Sequence, residues 1–231
     1  MPSYNLIADE YYDPVLHPTC ANFDELSRKV LVPRIHKVPH DTAIIDVGCG
    51  RSLVAEAIYS RRANLQGVTL LDSSPEMLEH SRSWERVGAR LIVADATKTG
   101  LEDCSFAVLV ASLGDPYNTP IFWREVHRLL KPNGICLFTT PSPEWANEFR
   151  ESTARNEAEF ILSDGSVIHV PSYIPRTDDQ IAMIVAAGFD VFESCALCVS
   201  DISGPVSWKL LSKQRGCDYP ILRGFSTRRI T

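Results

Sequence analysis

The stretch AIIDVGCGRS, residues 43–52, sets two glycines one residue apart directly behind an apolar run. In that setting Gly48 and Gly50 let the backbone approach a ligand closely at the end of a buried strand, because a residue without Cβ tolerates both the turn and the approach. An acid then closes each of the next two apolar runs, Asp72 in VTLLD and Asp95 in LIVAD. Asp72 lies 22 residues after Gly50, where a carboxylate accepts hydrogen bonds from both hydroxyls of a ribose. Asp95 lies where a side chain meets the exocyclic amine of an adenine. Either acid alone would serve equally well as a cap on the following helix. Together, at adjacent strand ends, they describe an adenosine crevice. A dinucleotide would want a third glycine three residues after the second, and Leu53 fills that place, so nicotinamide binding is disfavoured.

A second group of residues has types suited to group transfer. In LGDPYN, residues 113–118, Asp115 and Tyr117 emerge beyond a fourth apolar run. Asp115 there takes a proton from an amine or hydroxyl, or orients it, and Tyr117 contacts an acceptor ring; the competing reading is that Asp115-Pro116 merely opens a turn. His17, in DPVLHPTC, offers a neutral imidazole as a base or is an ordinary loop histidine. His169 is similarly ambiguous, and His127 sits mid-helix as packing or surface. Trp145, Phe149, Phe160 and Tyr173 form an aromatic acceptor pocket or anchor the segment that carries them.

Positioning these residues requires a parallel sheet covered on both faces, and the chain alternates accordingly. Strands are predicted at 43–47, 64–72, 89–95, 106–112 and 135–140, a sixth from Phe189, and a last one within YPILRGFSTRRI. Between them helices are predicted after Ser52, over 73–88 with Ser73 or Ser74 as cap, and over 119–134 closed by Pro132 and Gly134. Another runs from a Thr177 cap to Gly188. Residues 143–176 break the rhythm. They carry EFIL-SDG-SVIHV, a hairpin signal, and are read as an inserted helix plus hairpin that lids the site. The expected organisation is one domain, with residues 1–40 as a cover, 41–142 as the cofactor-binding core, 143–176 as the lid and 177–231 completing the sheet.

Composition agrees with one α/β domain: 231 residues, 45% hydrophobic and 23% charged, bury a core without disulfides. The net charge of −6 argues against affinity won by neutralising many phosphates, although the stretch from Lys209 onward is +5 and permits a local anionic contact. Seven irregularly spaced cysteines suggest a reducing compartment, and Cys195 and Cys198 lack the second pair a zinc site needs. No leader-like or membrane-length apolar run is present, so a soluble cytoplasmic protein is expected, with the oligomeric state left open.

These motifs, in order, resemble the class I S-adenosylmethionine-dependent methyltransferases over residues 40–140, with a looser echo at 177–199. IIDVGCGRS resembles the family's first motif, with Ser52 where a third glycine is common; VTLLDSSPEML, LIVADAT and VASLGDPYN resemble the next three. The resemblance implies a Rossmann-like, seven-stranded, mostly parallel sheet and S-adenosylmethionine as cofactor. It implies cofactor contacts at Asp46, Gly48, Cys49 and Gly50, at Asp72 and Ser73, at Asp95 and Ala96, and at Ser112, with Tyr11 or Tyr12 closing over the site. LGDPYN further resembles, with one proline missing, the motif by which amino-methylating nucleic-acid enzymes hold a planar amine. A small-molecule acceptor is the leading expectation. The alternatives are a nucleic-acid methyltransferase using the basic tail, and a non-catalytic S-adenosylmethionine-binding sensor.

Overall fold

The computed structural model describes residues 3–149, 156–211 and 219–230. Helix α1 (Pro18–Ile35) precedes an alternation of β1 (Ile44–Val47), α2 (Leu53–Arg62), β2 (Val68–Asp72), α3 (Pro75–Glu79) and β3 (Arg90–Val93). Then come β4 (Phe106–Ala111), α4 (Pro120–Leu129), β5 (Leu130–Pro141) and α5 (Pro143–Phe149). A hairpin of β6 (Glu157–Ile161) and β7 (Val167–Pro171) follows, then α6 (Thr177–Ala186), β8 (Phe189–Cys198) and β9 (Pro220–Arg229). Seven strands form one sheet in the order β3-β2-β1-β4-β5-β9-β8, and β6 and β7 pair separately. Strands β1 to β5 run parallel, while β9 is antiparallel to both neighbours. The chain order reverses between β1 and β4, which opens a crevice at their carboxyl ends.

All four residues of β1 are buried, as a strand covered on both faces must be. Successive side chains divide between the faces. Ile44 and Leu137 join Leu26, Val30, Val54 and Ile58 of α1 and α2, whereas Ile45 and Phe138 join Phe122 and Trp123 of α4 and Ile184 of α6. Helix α1 was absent from the sequence reading, which treated residues 1–40 only as a cover.

Three predicted elements differ in detail. The helix expected over 73–88 is five residues of α3 followed by a 3-10 turn at Arg82–Val87, because buried Ser81 turns its hydroxyl to the Gly50 carbonyl at 2.6 Å. Ser74, not Ser73, caps α3, accepting from the Met77 N–H at 3.0 Å. Pro132 and Gly134 do not end a helix: α4 stops at Leu129, Leu130 is already extended, and β5 begins there. Thr177 is the first residue of α6 and its buried hydroxyl has no hydrogen-bond partner, so it does not cap; the cap position is Arg176. No helix among the described residues is long and apolar enough to cross a membrane.

Candidate functional site

The turn after β1 is built to be approached. Gly48 and Gly50 have φ of +64° and +42°, and a Cβ on Gly48 would sit 2.6 Å from the Tyr117 hydroxyl, while one on Gly50 would collide with that of Tyr12. Ser52 caps α2, accepting from the Ala55 N–H at 3.0 Å and donating to Asp46 Oδ2 at 2.5 Å. Ser81, which sequence reasoning did not single out, accepts from the Ser52 N–H at 3.0 Å and so braces the loop from below. Burial, reinforced by the nearby Asp72 charge, pushes the Asp46 carboxyl up to about 7.

Asp72, at the end of β2, accepts from the Gly50 N–H at 2.9 Å and from the Ser74 N–H at 2.9 Å. Burial raises this carboxyl too, against the lowering effect of those N–H groups. Two residues past β3, Asp95 accepts from both the backbone N–H and the hydroxyl of Thr97, each at 2.7 Å. Asp72 and Asp95 line one cavity of about 800 Å³, a volume in the range of small-molecule and cofactor pockets. Asp46, Gly48, Cys49, Ser73, Ala96 and Ser112 line it as well, whereas Gly50, in the same turn, is not part of the lining. Burial raises the Cys49 thiol, so it stays protonated. Ser112 is fixed through Ser27 of α1, whose hydroxyl lies 2.7 Å from that of Ser112 and 2.6 Å from that of Thr139.

The N-terminal segment and the hairpin meet over this cavity. Tyr12 accepts from the Arg51 N–H at 2.7 Å, and the Arg51 guanidinium lies 4.5 Å over its ring. Tyr11 packs edge-on to Tyr12 at 4.9 Å and tilts against Phe160 of β6 at 6.1 Å. Glu10 accepts from the Ser163 N–H of the hairpin turn with both oxygens at 3.1 Å, and its Oε1 is 3.1 Å from His17 Nε2.

The proposed catalytic residues fare differently. Tyr117 lines the cavity, but its hydroxyl donates to the Val47 carbonyl at 2.7 Å and its ring covers Gly48, so it is a wall of the glycine turn. His17 does not line the cavity. It is tied to Glu10 and packed against Phe160 at 5.7 Å, which corrects its reading as a base facing the acceptor. Asp115 is buried outside the cavity lining and its Oδ2 accepts from the Ser172 hydroxyl, which corrects its expected position beside the acceptor.

The four aromatic candidates separate as well. Tyr173 lines the cavity; Trp145 instead packs edge-on against Phe23 at 4.9 Å and donates to the Lys209 carbonyl; Phe160 joins hairpin to cover; the Phe149 side chain lies outside the described residues. His127 packs against Phe189 at 5.7 Å and His169 is half exposed on β7.

Among the described residues the cations of the tail do not form one patch. Lys213 and Arg215 lie outside the described residues, Arg223 pairs with Glu144 at 2.5 Å, and Arg228 lies 5.1 Å over the Phe192 ring. Arg223 and Arg229 are about 20 Å apart along an extended strand at ~3.4 Å per residue. Among the described residues no group of three or more His, Cys, Asp or Glu side chains could hold a metal ion.

Two glycines without Cβ atoms, with one acid at the end of β2 and another past the end of β3 lining one cavity, have the donor and acceptor set that a nucleoside requires. Fold and site define a Rossmann-like nucleoside-binding protein. Residues 45–138 match the family described as "Methyltransferase domain". The chain is 32% identical over 162 residues, 64% of its own length, to a ubiquinone/menaquinone biosynthesis C-methyltransferase of Rubrivivax gelatinosus. It is 31% identical over 172 residues, 69% of its length, to a malonyl-[acyl-carrier protein] O-methyltransferase of Laribacter hongkongensis. It spans 62% of the first relative and 54% of the second, less than two thirds of either. In structure it is similar to a putative methyltransferase of Haloferax volcanii solved with the Trm112 activator, at a TM-score of 0.70 and 15% identity, covering 100% of this chain and 99% of that one. Over residues 45–138 the chain is thus similar in sequence to the methyltransferase-domain family, and its fold is that of S-adenosylmethionine-dependent methyltransferases.

Proposed function

We propose that this protein transfers the methyl group of S-adenosylmethionine to a small-molecule acceptor by in-line displacement. When bound, the cofactor would supply an electrophilic methyl carbon to the acceptor's lone pair and would leave as a neutral thioether, the acceptor's proton being lost to solvent once the product is released. The chain's own residues then have three tasks. Asp72 and Asp95 hold the nucleoside through its hydroxyls and its amine, the glycine turn admits it closely, and Tyr11, Tyr12 and the hairpin exclude water from the reacting pair. With Asp115 and His17 both engaged elsewhere, alignment carries the rate rather than proton abstraction.

The observation that carries this reading is that one cavity is lined together by Gly48 of the glycine turn, by both acids and by Tyr11, Tyr12 and Tyr173. Cofactor labelled in its methyl group, incubated with the protein and fractionated cell extract, is expected to label the low-molecular-weight pool. Label confined to nucleic acid would overturn the acceptor class. Tight S-adenosylhomocysteine binding with no label in any fraction would leave a sensor instead.

A further inference from the structure

Beyond the glycine turn and the acid-bearing strand ends, part of the cavity lining is assembled from four separate segments. Tyr4 and Tyr11 come from the N-terminal segment, Cys20 from the first turn of α1, Pro116 from the turn after β4, and Pro171 and Tyr173 from the end of the hairpin. Burial raises both the Tyr4 and Tyr11 phenols and pushes the Cys20 thiol up to about 12, so these three groups stay uncharged near neutral pH. Elsewhere the described lining is acidic. It includes Asp24, which pairs with Arg28 at 2.8 Å, together with Asp46, Asp72 and Asp95, and Arg51 is its only cation, stacked on Tyr12. Such a wall offers three phenol rings for planar contact and hydroxyls for hydrogen bonding, and the carboxylates around it disfavour an anion.

Tyr173 owes its place to the turn after β4. Its N–H donates to the Asp115 carbonyl at 2.7 Å and its carbonyl accepts from Asn118 Nδ2 at 3.1 Å, while the preceding Ser172 donates its hydroxyl to the Asp115 carboxylate. Asn118 is held in turn, its Oδ1 accepting from Trp123 Nε1 at 3.0 Å and its Nδ2 lying 2.5 Å from Gln180 Oε1. Both main-chain polar groups of Tyr173 are thereby fixed by DPYN, and the Asp115 carboxylate is used in doing so.

We propose that this wall is the acceptor subsite, that it selects an uncharged planar molecule bearing a hydroxyl or amine over an anionic one, and that Asp115 and Asn118 are positioning residues that hold Tyr173 against it. The proposal rests on the methyl-transfer reading, since the acceptor subsite is the part of the cavity the nucleoside-binding acids leave free. The malonyl-[acyl-carrier protein] relative acts on an acidic acyl group, so a neutral acceptor would separate this chain from that activity.

Calorimetric titration of 2-naphthol and of 2-naphthoate into protein saturated with S-adenosylhomocysteine tests this, because the two probes share a ring system and differ in charge. 2-Naphthol is expected to bind at least about tenfold more tightly. Tyr173→Ala should remove most of that affinity, Tyr173→Phe should keep it, and neither should alter S-adenosylhomocysteine binding. Asp115→Asn, whose amide oxygen still accepts from Ser172, should bind 2-naphthol as the wild type does, and Asp115→Ala should resemble Tyr173→Ala; Ser172→Ala gives the same readout should Asp115→Ala fail to fold. Equal or tighter binding of 2-naphthoate, or wild-type binding of 2-naphthol by Tyr173→Ala, overturns the proposal. Loss of 2-naphthol binding in Asp115→Asn would return that residue to direct acceptor contact. Failure of S-adenosylhomocysteine to bind the wild-type protein would instead sink the cofactor reading beneath it.

Discussion

Asp72 and Asp46 are neighbouring carboxyls under different constraints, and each makes a separate expectation measurable. Asp72 faces the cavity with its oxygens held by the N–H groups of Gly50 and Ser74, so its lone pairs are aimed before a ligand arrives. Asp72→Ala is expected to weaken S-adenosylhomocysteine binding by about 1 to 3 kcal/mol, the loss of charge-assisted hydrogen bonds, in isothermal titration. Wild-type affinity in the variant would remove Asp72 from the site. Asp46 is buried and its carboxyl is pushed up to about 7. A carboxyl raised in the folded state binds more protons there than in the unfolded chain, so its contribution to stability is full below about pH 4 and is lost as pH rises through about 7. Denaturant unfolding of the ligand-free protein should therefore show stability falling by about 2 kcal/mol or more across that window, and Asp46→Asn should flatten the decline. An unchanged slope in Asp46→Asn would assign the pH dependence to another group.

At the scale of elements, the hairpin is a body of its own: β6 and β7 pair only with each other, and they reach the cover through Glu10, Tyr11 and His17. Glu157 and Pro171 are opposite each other in register, so a link of two or three residues closes the gap if 158–170 is removed. That deletion is expected to leave S-adenosylhomocysteine affinity within about threefold while accelerating its release in stopped-flow displacement. Loss of the cooperative unfolding transition would show the hairpin to be core rather than lid. This segment was legible because an Asp-Gly turn between two short apolar runs is a local signal. The glycine turn and the acids at the end of β2 and just past β3 were legible for the same reason, since residue type and spacing alone fix which strand end they occupy. Helix α1 was equally local, with Phe23, Leu26, Val30, Leu31 and Ile35 at helical spacing and all buried, but prolines at 18 and 33 masked the pattern. The work of Asp115, Ser27 and Ser81 could not be read this way. Their partners stand 57, 85 and 31 residues away along the chain, and only the folded topology brings them together.

Over the whole molecule, charge separates by position rather than by sequence. The chain is −6 overall, and the described lining of its cavity holds four carboxyls against one guanidinium. The cations of β9 are dispersed: Arg223 is neutralised by Glu144, and Arg229 turns inward to the Leu130 carbonyl and His127. Among the described residues the crevice lining offers a polyanion one cation, Arg51, against four acidic side chains, a balance that favours the sulfonium of the cofactor over an anion. Methyl transfer to the labelled acceptor pool should accordingly change by less than about threefold between about 50 and 200 mM salt, because no chain of phosphate contacts releases counterions on binding. A partner held by six or more phosphates would lose about a thousandfold in affinity over the same interval. A steep fall of transfer rate with salt at subsaturating acceptor would therefore show that Lys209 and the cations following it reach the substrate, and that the acceptor is anionic.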